Sequence, residues 1–282
     1  MLLSVFLLLS VAAALGGSGL LGGYDGFAWL WQIPVLFVGS FLLLCVILFG
    51  VLLLITAFID PDKERQKDSK WFRLFIMQVI HLILTVLPVR VHMQGREKLP
   101  KDGRFLLVSN HIDNIDPAIF FYSFPHAQLA FVGKKETTGM FLIRKVMPKL
   151  LCPNINREND REALKTIIKC IGLLKEDTVS IGIFPEGRIN PYRKLAHFRP
   201  GVFKIAQKAN VPIVVCTLRG SNTVIPNLLK LKSSQVHMHL LDVIQPEQFA
   251  GKTTVDIAEE VYAMMAADLG PENVLTAEKE NT

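Results

Sequence analysis

The first 62 residues of the chain contain no lysine or arginine, although the whole sequence of 282 residues has 31 of them. Residues 1–60 carry only Asp25 and Asp60, so the formal charge is −2 for this segment and +8 for the rest. Half of all residues are apolar, and the mean hydropathy is +0.35. These values exclude an intrinsically disordered chain, which needs low hydrophobicity, and they argue against a soluble single domain.

Cysteine and paired metal ligands are also scarce. The four cysteines are too few for a disulfide scaffold, and no two have the C-x-x-C spacing, so we predict free thiols in a reducing compartment. His237 and His239 share one face of a predicted strand, but a third ligand is missing nearby, and a surface pair is the simpler interpretation. The sequence therefore predicts no metal site and no cofactor.

Two long apolar runs fill the segment without basic residues. Residues 1–21 contain no charged side chain, and residues 33–59 form a longer apolar run. A helix needs roughly 20 apolar residues to cross the hydrocarbon core, so residues 1–60 are predicted to form a two-span transmembrane leader. A secretory signal is the alternative for the first run, but basic residues do not precede it, and only residues 12–14 resemble a cleavage site.

Basic residues follow the second apolar run immediately. The loop between the two runs has none, whereas five crowd behind the second run: Lys63, Arg65, Lys67, Lys70 and Arg73. Because basic loops stay on the cytoplasmic side, we predict a multi-pass protein of the cell membrane whose body faces the cytoplasm. The basic excess favours anionic membrane lipids as partners over nucleic acid, because interleaved aromatic residues are missing.

Residues 61–88 are predicted to form a charged linker and a helix in the membrane interface. From residue 71 to residue 87 the chain is apolar except for a narrow polar stripe at helical spacing: Gln78, His81 and Thr85. Such a pattern is typical of a helix lying in the interface, and Pro88 ends it. A helix buried in the core of the body is the alternative.

Residues 89–282 alternate between short β-rich runs and helical patterns, which predicts an α/β domain with a largely parallel sheet. The predicted strands are residues 105–109, 129–132, 179–184, 213–218 and 236–243. The predicted helices are residues 117–123, 140–147, 160–175, 201–209 and 254–269.

A histidine and two aspartates follow the first predicted strand directly, in the sequence Asn-His-Ile-Asp-Asn-Ile-Asp-Pro at residues 110–117. Reactive groups of α/β sheets gather where the carboxyl end of a strand meets the next helix. A carboxylate that accepts one imidazole N–H fixes the tautomer and makes the histidine a useful base. We predict His111 as the catalytic base and Asp116 as its partner. Asp113 competes for that role, and helix capping is the simpler role for Asp116.

A second polar turn, Phe-Pro-Glu-Gly-Arg-Ile-Asn, begins at Phe184 at the end of the third predicted strand. Its guanidinium and the backbone N–H groups next to the glycine suit an anion, while its carboxylate can hold a hydroxyl or the arginine. Together with His111, the turn predicts a cradle for an anionic substrate formed by Glu186, Gly187 and Arg188. A solvated turn is the alternative.

Four blocks of sequence in a fixed order resemble the glycerolipid acyltransferase family, which includes 1-acylglycerol-3-phosphate acyltransferases. Residues 110–117 are similar to its NHxxxxD motif, and residues 184–188 to its FPEG motif. Residues 155–157 resemble its intermediate block, and residues 198–213 its last block. Because four blocks occur jointly, the resemblance is specific. It implies a glycerolipid acyltransferase-like α/β domain behind N-terminal transmembrane helices.

The resemblance also implies a reaction. An acyl chain would pass from acyl-CoA or acyl-carrier protein to the free hydroxyl of lysophosphatidic acid, giving phosphatidic acid for phospholipid biosynthesis. His111 would deprotonate that hydroxyl, and Asp116 would orient His111. Arg157 and Arg188 would hold the phosphate of the acceptor. Glu186 and Gly187 would shape the acceptor pocket.

The chain departs from the family pattern at two positions. Asp113 stands where the family commonly has serine, and this extra carboxylate either raises the basicity of His111 or changes the acceptor that fits. Arg188 follows the glycine directly, one place earlier than usual, so it reaches the phosphate from a shifted angle unless Arg193 or Lys194 substitutes. A different lysolipid acceptor and a non-catalytic lipid-binding membrane protein remain the alternative functions.

Overall fold

The computed structural model describes residues 1–61, 63, 67–134, 141–156 and 159–275, in which two apolar helices lead into an α/β domain. The strands are β1 (Val89–Gln94), β2 (Leu106–Ser109), β3 (Leu129–Phe131), β4 (Gly133–Lys134), β5 (Asn154–Ile155), β6 (Ser180–Ile183), β7 (Ile213–Arg219) and β8 (Ser234–Ile244). The helices are α1 (Leu2–Leu20), α2 (Trp29–Ala57), α3 (Lys70–Val86), α4 (Asp116–Ser123), α5 (Phe141–Lys149), α6 (Asp160–Lys175), α7 (Lys204–Ala209), α8 (Val224–Leu229) and α9 (Thr254–Leu269).

The main sheet has six strands in the order β1-β8-β7-β2-β6-β3. Neighbouring strands are parallel except β7 and β8, so the predicted largely parallel sheet is confirmed. Residues 106–108 of β2 pair with residues 181–183 of β6, and β7 flanks β2 on the other side. The carboxyl ends of β2 and β6, where the two polar turns begin, therefore lie side by side.

The sequence prediction missed β1, α8 and the two-residue strands β4 and β5, and it merged two elements into one. Among the described residues, β1 pairs with β8 alone, at the edge of the sheet, and every second residue of β1 is exposed. α8 has only six residues and contains Pro226, which weakens the helical pattern. The predicted helix at residues 201–209 divides into a 3₁₀ turn at Pro200–Phe203 and α7.

Helices cover both faces of the sheet. Phe120 and Phe121 of α4 pack on Phe131, whose ring lies against Gly182, where a Cβ would come within 2.5 Å of it. Thr217 of β7 donates a hydrogen bond to Asp268 of α9. Because side chains alternate along a strand, Thr217 points to the opposite face of the sheet from Gly182. The central strands are buried almost completely, as expected for a sheet between two helical layers.

The first two helices pack on each other and are each long and apolar enough to cross a membrane. Most of α2 is exposed, whereas one stripe of α1 at four-residue spacing is buried: Phe6, Ser10, Ala14 and Ser18. Ser18 Oγ donates a hydrogen bond to Gln32 Oε1 at 2.9 Å, which satisfies a buried polar pair between the helices.

One face of α3 packs on the α/β domain and on α1. A helix buried in the core of the body was the alternative interpretation of this segment. The polar stripe is part of that packing. Gln78 Oε1 accepts the N–H of Leu2, and the His81 ring stacks on Tyr122 of α4 at 5.2 Å. The other face remains exposed, with Trp71 at its start.

Arg73 is buried, although it was counted with the basic residues that flank the second apolar run. Its Nε lies 2.5 Å from Asp68 Oδ2. Its Nη1 and Nη2 donate to the backbone oxygens of Leu129 and Leu150 at 2.6 and 3.0 Å. One side chain therefore fixes α3 to the start of β3 and to the end of α5.

Candidate active site

His111 and Asp116 lie on one turn between β2 and α4, and the predicted contact between them is present. His111 Nδ1 is 2.9 Å from Asp116 Oδ2. The Asp116 side chain is completely buried, while 17% of the His111 side chain is exposed. Asp113, which the sequence left as a competing partner, is paired elsewhere. The five-residue spacing thus brings a buried carboxylate to a histidine that solvent and substrate can reach.

Asp116 also caps its own turn. The same Oδ2 accepts the backbone N–H groups of Ile112 and Asp113 at 2.7 and 2.9 Å. Capping and orienting the histidine therefore coexist in one carboxylate. Because Oδ2 is an acceptor, His111 donates its Nδ1–H to it, and Nε2 is left as the basic nitrogen.

A stack of aromatic rings supports the imidazole. The Phe184 ring lies parallel to His111, with a centroid distance of 4.0 Å and an interplanar angle of 7°. Phe131 stacks behind Phe184 at 5.4 Å. The Asp116 contact and this stack together hold the ring plane of His111, which is what a base needs for a fixed direction of proton transfer.

Glu186 joins the two polar turns. It is buried, and its Oε1 accepts the backbone N–H of His111 at 2.8 Å. Its Oε2 accepts the backbone N–H of Ala196 at 3.0 Å. The sequence assigned this carboxylate to a substrate hydroxyl or to an arginine, and the structure adds two backbone N–H groups that it accepts. Glu186 therefore shapes the site by fixing the position of His111.

Gly187 has a conformation and a neighbour that a larger residue would disturb. Its φ is +83°, in the left-handed region that favours glycine. A Cβ at this position would lie 3.0 Å from Nε of Arg199, whose backbone N–H donates to the Pro185 oxygen. The glycine thus lets an arginine lie against the turn.

Of the two arginines expected to hold a phosphate, the structure describes Arg188 but not Arg157. Arg188 is exposed, and its guanidinium makes no hydrogen bond or ion pair with any residue in the described ranges. Arg157 lies outside the described residues. β5, which ends two positions before it, pairs with β4 directly after β3.

Arg193 contacts the histidine turn, residues 110–117, which lead from β2 into α4. Its Nη1 donates to Asp113 Oδ2 at 2.5 Å and to the Ile112 oxygen at 2.7 Å. The sequence named Asp113 and Arg193 separately, but they are 80 positions apart and nothing in the sequence indicated that they would pair.

Asn110 is a further positioning residue that sequence reasoning missed. Its side chain is buried, and its Nδ2 donates to the Leu218 oxygen at 2.9 Å. Its Oδ1 accepts the Leu218 N–H at 2.8 Å. This two-bond link fixes the start of the histidine turn to the end of β7. The signal that would have identified it is an amide residue directly after a strand whose apolar sequence predicts burial.

The two histidines of β8 do not share a site. His239 Nδ1 lies 2.7 Å from Asp268 Oδ1, at the end of α9. The His237 ring stacks on His92 of β1 at 5.0 Å. They belong to separate contacts on the surface of the sheet.

Residues 90–219, from β1 to the end of β7, match the family described as Acyltransferase. The 1-acyl-sn-glycerol-3-phosphate acyltransferase of Borreliella burgdorferi is 28% identical over 189 residues, which cover 65% of this chain and 75% of that one. A probable 1-acyl-sn-glycerol-3-phosphate acyltransferase of Mycoplasma pneumoniae is 30% identical over 165 residues, covering 57% of this chain and 61% of that one.

The fold is similar to a solved structure. The crystal structure of the 1-acyl-sn-glycerophosphate acyltransferase PlsC from Thermotoga maritima aligns with a TM-score of 0.59, at 21% identity. The alignment covers 78% of this chain and 86% of that one. The likeness therefore extends to most of the architecture in both proteins.

Proposed function

We propose that this chain is a member of the Acyltransferase family, whose pattern residues 90–219 match, and that it transfers an acyl chain to lysophosphatidic acid and releases phosphatidic acid. The relatives from Borreliella burgdorferi and Mycoplasma pneumoniae carry the name of this reaction. The observation that carries the chemistry is the 2.9 Å contact between His111 Nδ1 and Asp116 Oδ2, which leaves Nε2 as the base.

The reaction begins with the free hydroxyl of the lysolipid. His111 Nε2 accepts the hydroxyl proton while the oxygen attacks the thioester carbonyl of the acyl donor. The positive charge that forms on the imidazole is stabilised by Asp116, which the backbone N–H groups of Ile112 and Asp113 hold still.

The second half of the reaction restores the enzyme. The tetrahedral intermediate collapses, the carbon–sulfur bond breaks, and the new ester bond remains. The departing sulfur takes the proton that His111 carries, so the products are phosphatidic acid and a free thiol. Acyl-CoA and acyl-carrier protein both supply such a thioester. Serine and cysteine are missing from residues 110–117, in agreement with direct transfer without an acyl-enzyme.

The proposal includes a place in the cell. Acceptor and product are both lipids, and α1 and α2 keep the domain at the bilayer that contains them. The basic residues after α2 favour a multi-pass protein of the cell membrane with the catalytic domain in the cytoplasm. The thioester donors are then on the same side as the site.

An assay of membranes that contain the chain tests this function. Lysophosphatidic acid is supplied with an acyl-CoA or with an acyl-carrier protein thioester, and labelled phosphatidic acid is measured. We expect phosphatidic acid with at least one donor, and the comparison identifies that donor. If the protein acylates another lysolipid in preference to lysophosphatidic acid, that lysolipid is the acceptor. Release of free fatty acid without any acceptor would indicate a hydrolase, and lipid binding without turnover a non-catalytic protein.

A further inference from the structure

Arg193 uses only one edge of its guanidinium within the described part of the chain. Nη1 makes both of its contacts, to Asp113 Oδ2 and to the Ile112 oxygen. Nε and Nη2 have no partner among the described residues, and 42% of the side chain is exposed. These two nitrogens point their N–H groups in the same direction, and such a fork matches two oxygens of a phosphate.

The loop that carries Arg193 is fastened on both sides. Ala196 donates its N–H to Glu186 Oε2 at 3.0 Å. Leu195 exchanges two backbone hydrogen bonds of 2.8 Å with Asn273 and Leu275 near the end of the described chain. Arg193 itself has a φ of +54°, so its backbone is held in a conformation that arginine rarely adopts. The backbone that carries the Arg193 guanidinium is therefore held in place.

We propose that Arg193 binds the phosphate of the acceptor lipid through Nε and Nη2, and that Asp113 is the residue that positions it. The inference rests on the proposed function, since lysophosphatidic acid supplies the phosphate. Arg193 holds Ile112 and Asp113, the two residues directly after His111, so a phosphate on its free edge lies next to the histidine turn. The acceptor hydroxyl is on the same small molecule and is brought towards Nε2.

This assignment also explains the carboxylate at position 113. Asp113 makes a charge-assisted contact to Nη1 that a serine hydroxyl would make only weakly. Its charge is balanced by Arg193, so it does not repel the phosphate as an unpaired carboxylate would. Arg188, by contrast, is exposed, and its guanidinium makes no hydrogen bond or ion pair with a described residue.

Steady-state kinetics of the full chain in membranes or detergent test the proposal. Arg193→Gln is expected to raise KM for lysophosphatidic acid about 10- to 100-fold, the effect of losing a charge-assisted hydrogen-bond pair, with a smaller change in kcat. Arg193→Lys keeps the charge without the fork and should give an intermediate KM. KM for the thioester donor should not change, because Arg193 binds the acceptor in this proposal. A rise in the donor KM would indicate that Arg193 binds the phosphates of CoA instead.

A second acceptor and a second variant make the test specific. Wild type should prefer lysophosphatidic acid to a monoacylglycerol with the same chain, and Arg193→Gln should remove most of that preference. Asp113→Ser should raise KM for lysophosphatidic acid less than Arg193→Gln does, without affecting the monoacylglycerol. Arg96→Gln is the matched control. Arg96 is exposed beyond the carboxyl end of β1, and because β1 runs antiparallel to β2, this position lies at the opposite end of the sheet from His111.

Some results would overturn the proposal. An unchanged KM for lysophosphatidic acid in Arg193→Gln, a rise in KM for the donor instead, or a larger loss in Arg188→Gln would each do so. Thermal unfolding of every variant separates a binding defect from misfolding. Failure of the proposed function itself is distinguishable, since wild type would then form no phosphatidic acid at all.

Discussion

His111–Asp116 and His239–Asp268 are both contacts between an imidazole Nδ1 and a carboxylate, at 2.9 and 2.7 Å. Their surroundings differ. Asp116 is fully buried and receives two backbone N–H groups, while 17% of Asp268 is exposed. Asp268 also accepts hydrogen bonds from Thr217 and Arg219. Asp116 accepts hydrogen bonds from residues of one turn. Asp268 links the end of α9 to the strands β7 and β8.

Position in the sheet separates the two pairs further. His111 follows β2 at the edge where the parallel strands β2, β6 and β7 end. His239 lies within β8, which runs antiparallel to β7. Because strand ends of a parallel sheet are open to substrate and strand interiors are not, a good histidine–carboxylate distance is not sufficient for catalysis. We therefore propose a catalytic role for the first pair and a structural role for the second.

The sharpest separation of the two pairs comes from changing each aspartate to asparagine. Asp116→Asn is expected to lower kcat about 10²- to 10⁴-fold, because the amide neither fixes the imidazole tautomer nor stabilises its positive charge. Asp268→Asn should leave kcat within about twofold, as expected for a residue away from the reacting atoms. Equal losses in the two variants would remove the distinction.

A pair of glycine variants tests how closely the site is packed. Gly187 and Gly103 both have a positive φ, +83° and +76°, so alanine costs conformational energy of about 1–3 kcal/mol at either position. Only at Gly187 would the new Cβ meet a neighbour, Arg199 Nε at 3.0 Å. We expect both variants to unfold earlier and only Gly187→Ala to lose activity, about tenfold. Comparable activity in both would mean that the Arg199 contact is unimportant.

The dependence of stability on pH examines the second pair. Burial acts to raise the pKa of Asp268, but hydrogen bonds from Thr217 and His239 and the charge of Arg219 together lower it. A lowered pKa stabilises the folded chain above the pKa of the unfolded state, about 3.9, and the effect is lost as pH falls through the folded pKa. The melting temperature of wild type should therefore exceed that of Asp268→Asn at pH 7, and the gap should close below pH of about 4. A gap that stays constant would show that the lowered pKa does not contribute.

The local part of the site could be predicted from the sequence, and the long-range part could not. His111 and Asp116 are five residues apart on one turn, so their contact depends on local geometry alone. Glu186 reaches the His111 backbone across 75 positions, and its residue type fits several roles equally well. Arg193 joins Asp113 only because the loop after β6 folds back on the turn after β2. Such pairings depend on tertiary structure, which residue spacing does not encode.

The architecture shows the same division. Continuous apolar runs identified the buried strands β2, β6 and β7, because a strand covered on both faces is apolar throughout. The antiparallel pairing of β7 with β8 has no counterpart in either strand's composition. The polar stripe of α3 favoured a helix in the membrane interface. Its spacing could not show that Gln78 and His81 contact α1 and α4.

The smallest effect is expected for the thiols of the α/β domain. Burial raises the pKa of Cys152 to about 11 and that of Cys170 to about 12, and it also raises the pKa of Cys216. Since the thiolate is the reactive form, N-ethylmaleimide at pH 7 should leave activity within about twofold and label these residues only after denaturation. Ser233→Cys, at an exposed position, should be labelled in the folded protein. Rapid inactivation of wild type would place a reactive cysteine in the site.

The most direct test of the comparison is the initial rate of phosphatidic acid formation by His111→Ala and His239→Ala, with the donor that wild type uses. Removal of the base is expected to lower the rate about 10²- to 10⁴-fold in His111→Ala, while His239→Ala stays close to wild type. Both proteins should be present in the membrane at wild-type levels. Phosphatidic acid formed by His111→Ala at an undiminished rate would contradict the assignment of His111 as the base.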